Sequence, residues 1–154
     1  IGAGPMIDIG PRLHESGRGA WAMLFAAWIV ALASSLGAVF IGEVMGQVPC
    51  ELCWFQRAFM FPLALMLGIA TYRADRAVLP YAFTLASAGW AIALYHLTIY
   101  FGVVPEAIQP CGSGPSCSDA EMTLFGQLPI PLLSLVAFTA ILLFLVLINR
   151  RFKS

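Results

Sequence analysis

The stretch VPCELCWFQR, residues 48–57, sets Cys50 and Cys53 three positions apart and Arg57 four positions beyond the second cysteine. Thiols at this spacing can form a disulfide, exchange it with another, or bind a metal. At a helix N-terminus the unsatisfied N–H groups and the dipole favour the thiolate, bringing a thiol pKa from about 8.5 to between roughly 3.5 and 7.5. A helix that begins near Cys50 puts Cys53 and Arg57 on one face, with Cβ atoms about 6 Å apart. The guanidinium there can steady a Cys53 thiolate, or the anion of whatever Cys53 passes electrons to. Gln56 adds a hydrogen-bonding amide from the next position.

A second pair, Cys111 and Cys117, lies in QPCGSGPSCSD. The Gly-Ser-Gly-Pro segment between them can fold back so that the two cysteines bond. Such a bond is either a staple for a small loop or, in an exposed loop, a labile disulfide of the exchanging kind. A zinc site made of all four thiols is disfavoured, because C-x5-C is wider than usual zinc-ligand spacing, and no metal is expected. C-x-x-C-H is absent, so covalent haem is not indicated. Just after this pair, SDAE from Ser118 fits a capping box, with Met122, Leu124 and Phe125 following, and predicts a short helix on the membrane surface.

The elements that must hold these residues are membrane spans. The chain has 154 residues, 60% hydrophobic and 10% charged, with zero formal net charge, and a mean hydropathy of +0.88. A soluble domain is about half apolar and roughly a quarter charged, so there is too little polar surface here for a water-soluble globule. Zero net charge and the lack of a basic stripe argue against a nucleic-acid partner. Spans are expected at 20–41, 54–72, 77–101 and 128–148, each long enough for a hydrocarbon core of about 30 Å. The fold class is therefore all-α: an integral membrane bundle of four helices, one domain over 1–154, with outer loops at 42–53 and 102–127. Residues 1–19 read as a tail, and IGAGP ahead of Met6 is expected to be an expression scar. Pro62 is expected to kink the second span. Gly89, with Ala86, Ser87, Ala88 and Ala91, marks close helix packing in the third.

Orientation follows from charge. Arg12, Arg18, Arg73, Arg76, Arg150, Arg151 and Lys153 all fall on one side, which the positive-inside rule makes cytoplasmic. All four cysteines fall on the other side, where disulfides persist in a bacterium. Arg57 alone breaks the sign bias. It reads either as an arginine snorkelling to the interface or, facing a candidate thiolate, as a functional intramembrane charge; the second is preferred. His96 lies at a similar depth in the third span. It is either an interfacial histidine bonded to a neighbouring helix or a hydrogen-bond or proton donor to a buried redox partner.

CELCWFQR resembles the C-x-L-C-W-x-Q-R signature that opens the second span in the DsbB family, the quinone-linked disulfide-generating enzymes of bacterial membranes. The resemblance covers nearly the whole chain: four spans, cytoplasmic termini, C-x-x-C first, a later cysteine pair, and LPIPLLSLVAF opening the last span. Vitamin K epoxide reductase-like proteins share the bundle but carry their loop cysteines before the C-x-x-C, and here they follow it. The C-x5-C spacing is closer to the BdbC-like branch than to the enterobacterial enzymes, whose loop cysteines lie farther apart.

The resemblance implies a monomer in the bacterial inner membrane that reoxidises a DsbA-like, thioredoxin-fold partner. It implies a relay in which the partner attacks the Cys111–Cys117 disulfide at Cys111. Cys117 then exchanges with Cys50, and Cys53 is released as a thiolate beside a quinone, either ubiquinone or menaquinone. Arg57, Gln56 and His96 are the available donors to that ring. Two other functions compete. A membrane scaffold with two inert disulfides has the same composition, and replacing Cys111 separates it from an oxidase. A transporter that passes reductant outward needs a cysteine on the cytoplasmic side or in mid-membrane, and the sequence has none there.

Overall fold

A computed structural model describes residues 10–104, 123–124 and 127–153, with side chains from 17 onward and up to 152. Cys111, Cys117 and the capping box at Ser118 lie outside the described residues. Among those described, four helices are long and apolar enough to cross a membrane, with mean hydropathies of 2.2, 1.5, 1.3 and 2.8 in chain order. They are α1 (Gly10–Val39), α2 (Glu51–Arg73), α3 (Leu79–Tyr100) and α4 (Ile130–Lys153). Each packs on the helices next to it in sequence, and α4 closes the ring against α1. The protein is a multi-pass membrane protein with an all-α architecture.

The helices outrun the uncharged stretches that announce them. α1 starts at Gly10, well before residue 20, and passes into a wider π-helical turn at Phe40–Val44. α4 continues to Lys153. Leu128 and Pro129, expected inside the last span, are instead extended: β2 (Leu128–Pro129) pairs antiparallel with β1 (Thr123–Leu124). Leu124, expected on a surface helix, is thus a strand residue. α2 runs through Pro62 as a single helix, consistent with the tolerance of bundled spans for proline.

Small residues from α1 and α3 meet large ones from α2 and α4. Ala27 and Ala31 of α1 and Ala82, Ala86 and Ala93 of α3 are fully buried, opposite Leu63 and Leu67 of α2 and Phe138 and Ile141 of α4. Lipid tails are as apolar as leucine, so helices in a bilayer associate through close packing, and small residues permit it. The tightest point is Gly89, where a Cβ would run into the Phe138 ring. The buried face of α3 reads Ala82, Ala86, Gly89, Ala93, His96, the three- and four-residue spacing of one helical stripe. Ala91 lies off that stripe and is exposed. Polar links also join the helices: Trp21 Nε1 of α1 donates to Thr71 O of α2 at 3.0 Å, and Trp90 Nε1 of α3 to Thr139 Oγ1 of α4 at 3.0 Å.

Basic residues gather at one end. Arg76, in the link after α2, stacks on the Phe152 ring of α4 at 3.4 Å, and Arg151 reaches Gly19 of α1. This link turns tightly. Ala74 takes the left-handed conformation (φ 51°) and Asp75 N–H bonds to Ala70 O at 2.9 Å. The carboxylate of Asp75 accepts from Ala77 N–H at 2.9 Å. The C-x-x-C motif sits at the opposite end of α2.

Candidate functional site

Cys50 is the N-cap of α2, in extended backbone (φ −70°, ψ 169°), and Trp54 N–H closes the first turn on its carbonyl at 3.1 Å. The next turns of α2 carry Cys53, Gln56, Arg57 and Met60 on one face. All four line a cavity of about 520 Å³. Ser34 and Ala38 of α1 with Ile41 of the π turn form a second wall, and Leu133, Ser134 and Phe138 of α4 a third. Residues 46–49, leading into α2, complete the lining. The volume falls within the roughly 300–1,000 Å³ of ligand pockets, and the walls are mostly apolar with a few convergent polar groups, as in such pockets.

Arg57 is tied inward. Its Nη2 donates to Ala38 O of α1 at 2.7 Å, its guanidinium lies 5.4 Å from the Trp54 ring centroid, and Gly42 in the π turn leaves room for it. A Cβ at Gly42 would stand 3.1 Å from Nη2. A carbonyl and a ring orient the cation without cancelling it, so its charge is available to the cavity. Widened helical turns of this kind recur at functional sites.

Cys50 and His96 stand behind the wall that Cys53 presents. The two cysteine sulfurs are 3.1 Å apart as free thiols, Cys50 fully buried and Cys53 partly so. His96, fully buried, points Nε2 at Cys50 Sγ (3.7 Å), while its Nδ1 meets the Gln56 amide at 3.0 Å. Above all the Cys53 thiol, donating to Cys50 Sγ, and then His96 draw the Cys50 thiol down to about 4, against burial that opposes ionisation. The pair therefore shares one proton, with the negative charge favoured on Cys50.

Of the residues singled out from sequence, Cys50, Cys53, Gln56, Arg57 and His96 converge at one end of the bundle. His96, read from sequence either as bonded to a neighbouring helix or as a donor to a buried redox partner, bonds to Gln56 of α2, stands against Cys50 and is not in the cavity lining. Sequence reasoning did not pair it with Cys50 or Gln56; its place on the small-residue stripe of α3 was the signal that it faces the bundle. The Ala38 carbonyl and Gly42, which hold Arg57, carried no sequence signal.

The family model of the disulfide bond formation protein DsbB matches residues 18–148. The chain belongs to the DsbB family. Among curated DsbB-family relatives, the "Probable disulfide formation protein" of Metapseudomonas resinovorans is 56% identical over 132 residues, covering 85% of this chain and 92% of that one. "Disulfide bond formation protein C" of Bacillus subtilis is 41% identical, with 82% and 91% covered. A "Probable disulfide formation protein" of Coxiella burnetii is 36% identical, with 80% and 85% covered. No solved structure matches the chain. Membership fits the C-x-x-C at the mouth of a span and the bundle around it.

Proposed function

We propose that the protein is a thiol:quinone oxidoreductase that regenerates the disulfide of an extracytoplasmic, thioredoxin-fold dithiol protein of the DsbA type. The observation that carries the reading is that Cys53, Gln56 and Arg57 share one wall of a 520 Å³ cavity while the Cys53 sulfur lies 3.1 Å from that of Cys50. A quinone head group fits that space, with Arg57 and Gln56 as donors to its two carbonyl oxygens. When bound, it supplies a lipid-soluble acceptor for two electrons and two protons.

The chain's own residues do the rest. The reduced partner attacks the Cys111–Cys117 disulfide at Cys111, and Cys117 leaves as a thiolate. Cys117 attacks Cys50 of the Cys50–Cys53 disulfide, and Cys53 leaves as a thiolate on the cavity wall, where Arg57 offsets its charge. The partner's second thiol displaces Cys111, completing the partner's disulfide. Cys111 recaptures Cys117, freeing Cys50, and Cys50 and Cys53 bond again as two electrons depart. Cys50 is fully buried in a cluster with Leu52 and Ile99, so exchange there requires that packing to open.

A water-soluble dithiol cannot enter the bilayer and a quinone cannot leave it, which is why two couples are needed. Each 30 mV between donor and acceptor is worth about 1.4 kcal/mol in this two-electron exchange. The arginines at the far end of the bundle support a cytoplasmic placement of both termini in the inner membrane, by the positive-inside rule. Mixing the purified protein with quinone and a reduced thioredoxin-like dithiol should bleach the quinone absorbance. Absence of bleaching, with the partner also left reduced, overturns the proposal.

A further inference from the structure

We propose that the reduced Cys50–Cys53 pair and His96 form a binding site for one thiophilic divalent cation of the zinc class, which holds the pair reduced and halts turnover. The four thiols of the sequence do not have zinc spacing. The fold, however, brings in a donor from another helix. Cys50 Sγ, Cys53 Sγ and His96 Nε2 all lie within 4.8 Å of one another. Around a tetrahedral zinc with Zn–S near 2.3 Å and Zn–N near 2.05 Å, an N···S separation of about 3.6 Å and an S···S of about 3.8 Å are required. The observed N···S is 3.7 Å, and the sulfurs, at 3.1 Å, need only a small spread.

Three further features suit the ion. His96 Nδ1 is held by Gln56 at 3.0 Å. With the Gln56 amide turned over, its oxygen accepts the Nδ1 proton and leaves the Nε2 lone pair facing Cys50, the outer-shell partner that metal-bound histidines have. Two thiolates and a divalent ion sum to zero charge, which suits a buried place at the bilayer edge. Three protein donors leave a fourth position open, so the ion can enter and be withdrawn. Binding releases the one proton that the reduced pair shares and changes no oxidation state. The disulfide form has no thiolates to offer, so only the reduced pair binds. The lone pairs that would attack or be oxidised are then committed to the metal, and a chelator restores them.

The test needs neither quinone nor partner, so its failure and that of the oxidase reading are separable. A full-length chain carrying Cys111→Ser and Cys117→Ser, reduced with a phosphine and desalted anaerobically, is titrated with zinc(II) against a chromophoric chelator. One zinc per chain is expected in the reduced protein and none after oxidation to the Cys50–Cys53 disulfide. His96→Leu should weaken binding by about a hundredfold, and Gln56→Leu by about tenfold as an outer-shell loss. If His96→Leu does not insert, His96→Gln, which keeps a hydrogen-bonding side chain of similar size, takes its place with the same expected direction. No zinc in the reduced protein overturns the proposal, and so does binding that is unchanged by either His96 variant.

Discussion

Two cavities lined by described residues are nearly equal in size, about 520 Å³ at the dithiol end and about 500 Å³ at the basic end, and they differ in the chemistry of their linings. At the basic end the Arg76 and Arg18 cations share the lining with the Asp75 carboxylate, which offsets positive charge there, and the lining has no sulfur. At the dithiol end Arg57 is aimed by a carbonyl and a ring but keeps its charge, and it shares a wall with Cys53. Volume is therefore not what makes a site. A redox-capable sulfur beside an oriented, uncancelled cation is, and in the bundle that combination occurs where α1 loosens into its π turn.

The comparison can be broken by substitution. Cys53→Ser should reduce quinone reduction to background, because a serine hydroxyl neither ionises nor exchanges like a thiol; retained turnover would detach the cavity from the chemistry. Arg57→Ala should slow quinone reduction by about a hundredfold, the scale of losing one donor to developing negative charge. Arg76→Ala at the other end should leave the rate within about twofold, as a surface change does. Equal losses at both ends would mean that the arginines serve insertion rather than chemistry, and the yield of folded membrane protein in each variant separates the two.

The dithiol end should also stand apart in its response to pH. The Cys50 pKa in the folded reduced protein, about 4, lies below the ordinary 9.0. Ionised Cys50 therefore stabilises the reduced fold fully above the ordinary value, and this contribution is lost as pH falls through about 4. The ultraviolet thiolate band of the reduced protein should persist on acidification well below neutrality. Its disappearance near 9.0 instead would remove the roles given to the Cys53 thiol and His96. Smallest in consequence is packing between the two ends. Gly89→Ala should lower stability by about 1–3 kcal/mol, since the Phe138 ring must shift; an unchanged melting temperature would mean that α3 and α4 have slack there.

Much of this was legible in the sequence because a bilayer imposes a length. Four apolar runs of sufficient span, with Arg57 the one charge within them, can hardly be other than helices, and the helical period alone puts Cys53, Gln56 and Arg57 on one face. Helix ends were not legible, because charged residues such as Arg12 continue a helix into water without marking it; hydropathy reports the hydrocarbon portion only. The β1–β2 pair, two residues a side, is too short to show a period. Contacts between helices were equally hidden. That His96 meets Cys50, or that Arg57 finds the Ala38 carbonyl, depends on how the helices are rotated and staggered, which the small-residue stripe of α3 hints at and no spacing within one helix encodes.

The claim most exposed to test is that electrons cross two cysteine couples in series. It is read by giving a Cys111→Ser variant quinone and either the reduced thioredoxin-like partner or a small dithiol that can reach Cys50 and Cys53 unaided. The account predicts that the partner stays reduced while the small dithiol still bleaches the quinone. Reoxidation of the partner at the unmodified protein's rate in that variant would contradict it.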